Sequence, residues 1–436
     1  MGRKRTYIPL NVFLNSRLVG QLVQARTGAI RFSYDQSWID WEHTMPISRS
    51  MPVRKDAYVG HQVIAVFDNL LPDNEPMRVR VAEKTGAQGT DAFSLLSEIG
   101  RDCVGALQFL PEDTQPQPLD ELTGDSLSTA DIAKLLSKLE SNPLGIRSDT
   151  EFRISVAGAQ EKTAFLYHNG EWIQPTGTTP TTHIVKPQIG KLSNGADLSD
   201  SVQNEYFCLR LMHHCGIPTT NANIMTFNEH KALVVERFDR RWTKDARLIR
   251  LPQEDCCQAL SVAPTRKYQS DGGPGIVDIM ALLDGSDEPI TDRINFFKAN
   301  ILFWLIGATD GHAKNFSIGL LPQGRFRMTP LYDVITLQPS INKKQLTRKE
   351  FKLAMRIGGS GHYNVEHIHG RHFMQSGLKS GLSKQQIRSI CDGITSGIDA
   401  SIENTINEVK TDVPAQIIDS VVSGIRHRVP RLDRLD

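Results

Sequence analysis

The run ANILFWLIGA, Ala299–Ala308, most constrains the fold, because a helix built of Ile, Leu, Phe and Trp has to be surrounded by other elements to be kept from water. Apolar spacing in RINFFKANILFWLIGA predicts that helix, and helical spacing in GLSKQQIRSICDGITSGIDASIENTINEV and PAQIIDSVVSGIRHR supplies the elements around it, giving a mainly α C-terminal lobe. The apolar run stops abruptly at TDGHAKNFS, where Asp310, His312, Lys314 and Asn315 fall within six residues. A rigid, buried helix that ends on such a cluster holds those side chains in fixed positions, as positioning chemistry requires.

A chain of 436 residues exceeds one ordinary core, so two or three units are expected. Short apolar runs between Tyr7 and Tyr34, broken by Asn-Ser and Thr-Gly turn signals, predict a small antiparallel sheet. Helical patterns and the strand VGALQFL complete an α+β unit over 1–110. Pro, acids and polar residues crowd 111–126, as in a linker. A second α+β part, 127–241, holds the strands TAFLYHN, THIVKP and KALVVERF and a helix from Asp200 to Cys215; residues 242–436 form the mainly α lobe. The fold class is α+β.

A formal net charge of +1 excludes an overall field that would draw the chain to nucleic acid or an anionic membrane. Six cysteines without a C-x-x-C pair argue for a reducing cytoplasm. CLRLMHHC, Cys208–Cys215, matches no usual zinc spacing and reads as core cysteines beside surface histidines. No run of 18 apolar residues and no signal-peptide core occurs, so no membrane is expected; the MGRKRT match to a myristoylation pattern is treated as chance.

Asp310 and Asn315 have the D-x-x-x-x-N spacing of a kinase catalytic loop. Alone, such residues more often end a helix and open a turn. The neighbouring segments change the balance. Asp333, 18 residues after Asn315, supplies the second acid that holds Mg²⁺ against nucleotide phosphates. Lys186 ends the strand THIVKP as a phosphate-neutralising cation would. Glu205, on the next helix, is either its ion-pair partner or an ordinary exposed glutamate. The loop RISVAGAQEKT joins small residues to Lys162 and lets backbone N–H groups approach phosphate, although Glu161 stands where a P-loop has its second glycine. VVERFDRRW places Glu236, Arg237 and Phe238 where a hinge would meet adenine.

In order, these segments read as phosphate loop, strand lysine, helix glutamate, hinge, D-x4-N loop and second metal acid. Together with FDNLLPDN, LLSEIGRDCVGAL, LPQED and SDGGPGI, they resemble the HipA family, the serine/threonine kinase toxins of bacterial toxin–antitoxin pairs. The resemblance implies a two-lobed fold related to protein and lipid kinases, using ATP and Mg²⁺. It assigns Asp310 as catalytic base or orienter and Asn315 and Asp333 as Mg²⁺ ligands. ATP contacts fall to Ala157, Gly158, Ala159, Gln160, Glu161, Lys162, Lys186, Glu236, Arg237, Phe238, His312 and Tyr332, with Gln253 and Asp239 at the ribose. Ser155 resembles the family's autophosphorylated serine, whose phosphate would eject the loop and silence the enzyme. The resemblance also implies phosphorylation of an aminoacyl-tRNA synthetase, chiefly glutamyl-tRNA synthetase, with inhibition of translation, persistence and multidrug tolerance. It implies a HipB-type helix-turn-helix antitoxin dimer and operator DNA as partners. Basic residues at Lys379, Lys384 and Arg388, or from Arg426 to Arg434, are either a DNA contact or a solvated face.

Two other readings compete. A catalytically weak corepressor module would have lost one of Asp310, Asn315, Asp333 or Lys186, and none is lost. A metallohydrolase built on Asp310, His312 and Asp333 leaves Asn315, Lys186 and the phosphate loop unexplained.

Overall fold

The computed structural model describes residues 9–146, 154–158, 160–192 and 195–435; Arg153, Ala159 and the start of the chain lie outside them. The N-terminal unit is a five-stranded antiparallel sheet in the order Tyr58–Val59, Ile30–Tyr34, Arg17–Gln24, Leu10–Leu14, Leu107–Pro111. Alternation in Ile30–Tyr34 turns Ile30, Phe32 and Tyr34 inward, and Phe32 packs on Phe67 of the helix His61–Asp68 at 5.6 Å between ring centroids. Two further helices cover this core, Glu75–Thr85 and Ala92–Ile99. Their first N–H groups are capped by the Asn74 and Asp91 side chains.

A six-stranded antiparallel sheet follows, in the order Ala222–Phe227, His230–Glu236, His183–Pro187, Thr163–His168, Glu171–Pro175, Gly124–Leu127. The last strand corrects the reading of 111–126 as a plain connector: Gly124, Asp125 and Ser126 pair with Pro175, Gln174 and Ile173. Earlier in the same stretch, Gln117 N–H donates to Thr178 Oγ1 at 2.9 Å. Polar, Pro-rich composition marked a surface segment correctly but not its edge pairing. Against the sheet lies the helix Ser201–His214, with Glu205, Phe207, Cys208, Leu211 and Met212 buried.

The helix Pro289–Ile306 runs through the centre of the C-terminal lobe, and residues 299–306 are buried without exception. It packs against Ile276–Leu283, Lys384–Val409, Ala415–Leu432 and Ser201–His214. Gly307 ends it in the left-handed region (φ 71°), and its N–H returns to the Phe303 and Trp304 carbonyls. A Cβ there would stand 2.4 Å from the Phe351 ring, so only glycine makes this exit. The lobe also carries a three-stranded sheet, Gln253–Asp255, Ser317–Leu320 and Phe326–Met328, which frames the polar loop. Among the described residues no helix is long and apolar enough to cross a membrane, and no group of three His, Cys, Asp or Glu side chains is placed to hold a metal.

Candidate active site

The loop after Gly307 closes on itself. The Asp310 carbonyl accepts from His312 N–H at 2.8 Å and from Asn315 Nδ2 at 2.7 Å, which leaves the Asn315 amide oxygen as the end that can face a cation. Asn315 is buried, whereas the Asp310 side chain is 45% exposed and reachable by a substrate. Asp310 Oδ1 accepts from the Tyr268 hydroxyl, and His312 Nε2 stands 3.8 Å from it. Burial outweighs the nearby Asp310 and pulls the His312 imidazole below its ordinary value, so it is neutral near pH 7.

Facing this loop, Lys186 Nζ donates to Glu205 Oε1 and to Asp333 Oδ1, both at 2.8 Å. The strand His183–Pro187 presents the ammonium, and the helix Ser201–His214 and the residue after Tyr332 present the acids. Glu205 is therefore the ion-pair partner, not an exposed helix residue. Burial alone would raise the Asp333 carboxyl, but Lys186 and Lys162 override it and hold the group well below the usual carboxylate range. Asp333 also adopts φ +58°, a strained conformation for a residue with a Cβ.

The phosphate-loop segment is folded in. Ser155 is fully buried, with its N–H on the Asp102 carbonyl at 3.0 Å and its Oγ donating to the Leu70 carbonyl at 2.7 Å. Lys162 Nζ donates to the Ala157 carbonyl at 2.7 Å. Gly158, at φ +112°, leaves room for this ammonium, because a Cβ would sit 2.5 Å from it. Burial pulls the Lys162 ammonium down to about 8, although Asp333 opposes the shift. Gln160 donates to the Pro187 carbonyl at 3.2 Å, and Glu161 pairs with Arg80 of the N-terminal unit at 2.6 Å.

At the hinge, Glu236 N–H donates to the Asn221 carbonyl, while the Phe238 N–H has no acceptor among the described residues. The Phe238 and Tyr332 rings lie 5.9 Å apart, tilted by 34°. Two expected contacts are withheld from the cleft. The Arg237 side chain is buried on Asp102, Asp239, Thr181 and the Cys103 carbonyl, and its N–H donates to the Thr182 carbonyl. Asp239 is buried, and its oxygens accept from Arg237, the Gly105 N–H and Arg240, which commits its charge to the structural cluster rather than to a ribose. Gln253 remains: Nε2 reaches Asp239 at 3.3 Å and its buried Oε1 lacks a partner among the described residues, as does His312 Nδ1.

Those two orphaned atoms, the paired lysines and the hard oxygens of Asn315 and Asp333 fit a nucleotide carrying Mg²⁺, an ion that takes few protein ligands and keeps phosphate and water oxygens. They do not fit the metallohydrolase, since the described residues contain no His/Asp cluster able to hold a transition metal. Sequence reasoning missed Tyr268, and it missed the burial of Lys314, which donates to Asp255 Oδ2 at 3.0 Å and to Asn69. A lysine trapped between Asp310 and Asn315 was the available signal for the second.

A mixed α/β chain folded into two lobes, with a lysine–glutamate pair on one side of the cleft and a D-x4-N loop on the other, has the kinase-like fold. Residues 10–110 match the HipA N-terminal domain and residues 154–402 the HipA-like C-terminal domain. The chain belongs to the HipA family. Y4mE, a candidate kinase of Sinorhizobium fredii, is 37% identical over 355 residues, covering 80% of each chain. The serine/threonine-protein kinase toxin HipA of Shewanella oneidensis is 28% identical over 351 residues, covering 76% of this chain and 75% of its own. A chain of the Shewanella oneidensis MR-1 HipA, HipB and operator DNA complex superposes with a TM-score of 0.77 over 98% of this chain and 99% of its own, at 24% identity.

Proposed function

We propose that this chain is a Mg·ATP-dependent serine/threonine protein kinase acting as the toxin of a toxin–antitoxin pair. The observation that carries the reading is the meeting of Lys186 with both Glu205 and Asp333 at 2.8 Å, opposite a loop in which Asn315 and Asp310 are locked together. Lys186 and Lys162 would bind the phosphates, and the Phe238 N–H would serve the adenine. Asn315 and Asp333 would hold Mg²⁺, which supplies neutralisation of phosphate charge as the bond to the leaving group opens. Asp310 orients the substrate hydroxyl and takes its proton; the new bond joins that oxygen to the γ-phosphorus, the bond to the β-phosphate oxygen breaks, and ADP leaves.

Ser155 is the autophosphorylation site in this reading. A phosphate brings about −1.5 to −2 charge, and among the described residues the partner of the Ser155 Oγ is the Leu70 carbonyl, an acceptor that would repel it, so the modified loop would not stay folded in. Family membership and the HipA–HipB–operator neighbour support a helix-turn-helix antitoxin dimer and operator DNA as partners, reached through the antitoxin because the net charge is only +1. An aminoacyl-tRNA synthetase, glutamyl-tRNA synthetase first among them, is the proposed substrate, with arrested translation and persistence as the outcome. Six free cysteines suit a reducing cytoplasm.

Intact-mass spectrometry of wild type and Asp310→Gln after incubation with Mg·ATP tests the reading, with peptide mapping across Ser155. A phosphate on wild-type Ser155 that is absent from the variant supports it. An unmodified wild type, shown to bind ATP and to start with a bare Ser155, overturns it in favour of a corepressor without catalysis.

A further inference from the structure

The segment Asn69–Asp73 leaves the helix His61–Asp68 of the N-terminal unit and touches two loops that lie far away in sequence. On one side it holds the phosphate-loop segment. The Leu70 carbonyl accepts from Ser155 Oγ at 2.7 Å, the Asp73 N–H donates to the Gly158 carbonyl at 3.3 Å, and Pro72 bridges Gly158 in parallel fashion. On the other side it holds the catalytic loop from beneath. Lys314, between Asp310 and Asn315, donates to the Asn69 carbonyl at 2.9 Å and to Asn69 Oδ1 at 2.7 Å, and Asp73 Oδ1 lies 3.6 Å from its ammonium. Asp73 Oδ2 binds Lys267 at 2.8 Å. The Lys267 carbonyl accepts from Ala313 N–H at 3.4 Å inside the same loop, and the next residue, Tyr268, donates to Asp310.

Charge makes the connection stiff. Lys267 and Lys314 face Asp73 and Asp255, two ammonium groups against two carboxylates, all with side chains 14% exposed or less. Loss of the Asp73 charge leaves Lys267 without its acid in a poorly solvated site, and such a group moves or neutralises rather than stays. The direct partners of the Asp73 carboxylate are Lys267 and Lys314 rather than Asp310, Asn315 or Asp333, and its charge reaches Lys162 and His312 only through space.

We propose that Asp73 is a positioning residue and that Asn69–Asp73 is a strut coupling the phosphate loop to the catalytic loop, so that the N-terminal unit is a working part of the active site. The proposal rests on the kinase reading given above and adds a second route to silencing. When Ser155 loses its bond to Leu70, the strut loosens and Asp310 and Asn315 lose their placement, over and above any lost contact to ATP.

Hydrogen exchange on the full chain without nucleotide tests the coupling independently of activity. Wild type, Asp73→Asn and Ser155→Asp are compared in peptides covering 154–163, 309–317 and, as a folding control, Pro289–Ile306. Both variants are expected to speed exchange in 309–317 by about tenfold while the control helix keeps its protection. Unchanged exchange in 309–317 in both variants overturns the proposal. Should Asp73→Asn fail to fold, Lys267→Gln removes the same contact from its more exposed partner and carries the same expectation. In phosphotransfer assays Asp73→Asn is expected to lower kcat by about tenfold or more with the ATP KM within about threefold, a split that a simple loss of folded protein does not produce. Full kcat per folded molecule also overturns the proposal. A wild type that transfers no phosphate defeats the kinase reading, and the exchange data then still decide whether the two loops are linked.

Discussion

Two buried charge clusters lie toward opposite ends of the strand pair His183–Pro187 and His230–Glu236, and they are built on opposite principles. Asp102, Arg237, Asp239, Arg240 and Arg250 form a closed cluster, with side chains 1–4% exposed. Asp102 Oδ1 accepts from Arg240 and Arg250, and its Oδ2 from Thr181 and Arg237, so no lone pair faces a ligand. This cluster fastens the N-terminal unit to the hinge and to the start of the C-terminal lobe. Lys186, Glu205 and Asp333 form an open cluster: Asp333 is 35% exposed, sits at φ +58° and has Lys186 as its ion-pair partner. Buried charge by itself therefore does not mark a site. What separates the two is spare valence, access to the cleft and a backbone held in a costly conformation.

Substitutions sharpen the contrast. Asp102→Asn should cost about 3–5 kcal/mol in urea unfolding, because three buried guanidinium groups are left with one carboxylate; a loss near zero would mean the cluster does not fasten the units. Asp333→Asn should do the reverse, lowering phosphotransfer by about 10²–10³-fold while the unfolding midpoint moves far less than in Asp102→Asn. Comparable damage to stability in both variants would erase the distinction between closed and open.

A smaller effect separates the lysines. Lys162 carries its proton below about 8 and loses it above, so kcat/KM for ATP should fall as pH rises through that value. Lys162→Met should flatten this alkaline limb. Lys186 is held above the ordinary lysine range, since Asp333 and Glu205 outweigh burial, and it contributes no such limb. The folding linkage of Lys162 has the opposite sign. The unfolded chain keeps that proton to about 10.5, binds more protons than the folded chain above about 8, and so the lysine's contribution to stability rises with pH in that window. The smallest effect belongs to Glu161→Gln, which removes a partly exposed pair with Arg80 and should cost no more than about 1 kcal/mol by thermal unfolding.

Periodicity along the chain carried a good part of this. The apolar run at 299–308, the alternation in the strand Ile30–Tyr34 and the helical spacing of Lys384–Val409 are local patterns, and they settled the α+β class and the mainly helical C-terminal lobe. Motif order from Ser155 to Asp333 was enough to indicate the family. Its individual members were less secure: Glu205 was left between two readings until the helix Ser201–His214 was seen to turn it onto Lys186.

Tertiary structure alone decided which charged residues are free to act. Arg237 and Asp239 stand in a hinge-like motif, yet Asp102, 135 residues from Arg237, closes them into a structural cluster. Asp73 lies in FDNLLPDN, a segment assigned no site role from sequence, and it stands 194 residues from Lys267, which it binds beneath the catalytic loop. The physical reason is the same in both cases. Sequence spacing encodes which faces of a helix or strand are apolar, because that depends on neighbours three or four positions away in a helix and two away in a strand. The satisfaction of a buried charge depends on partners brought in from other units, and only the packed chain specifies them.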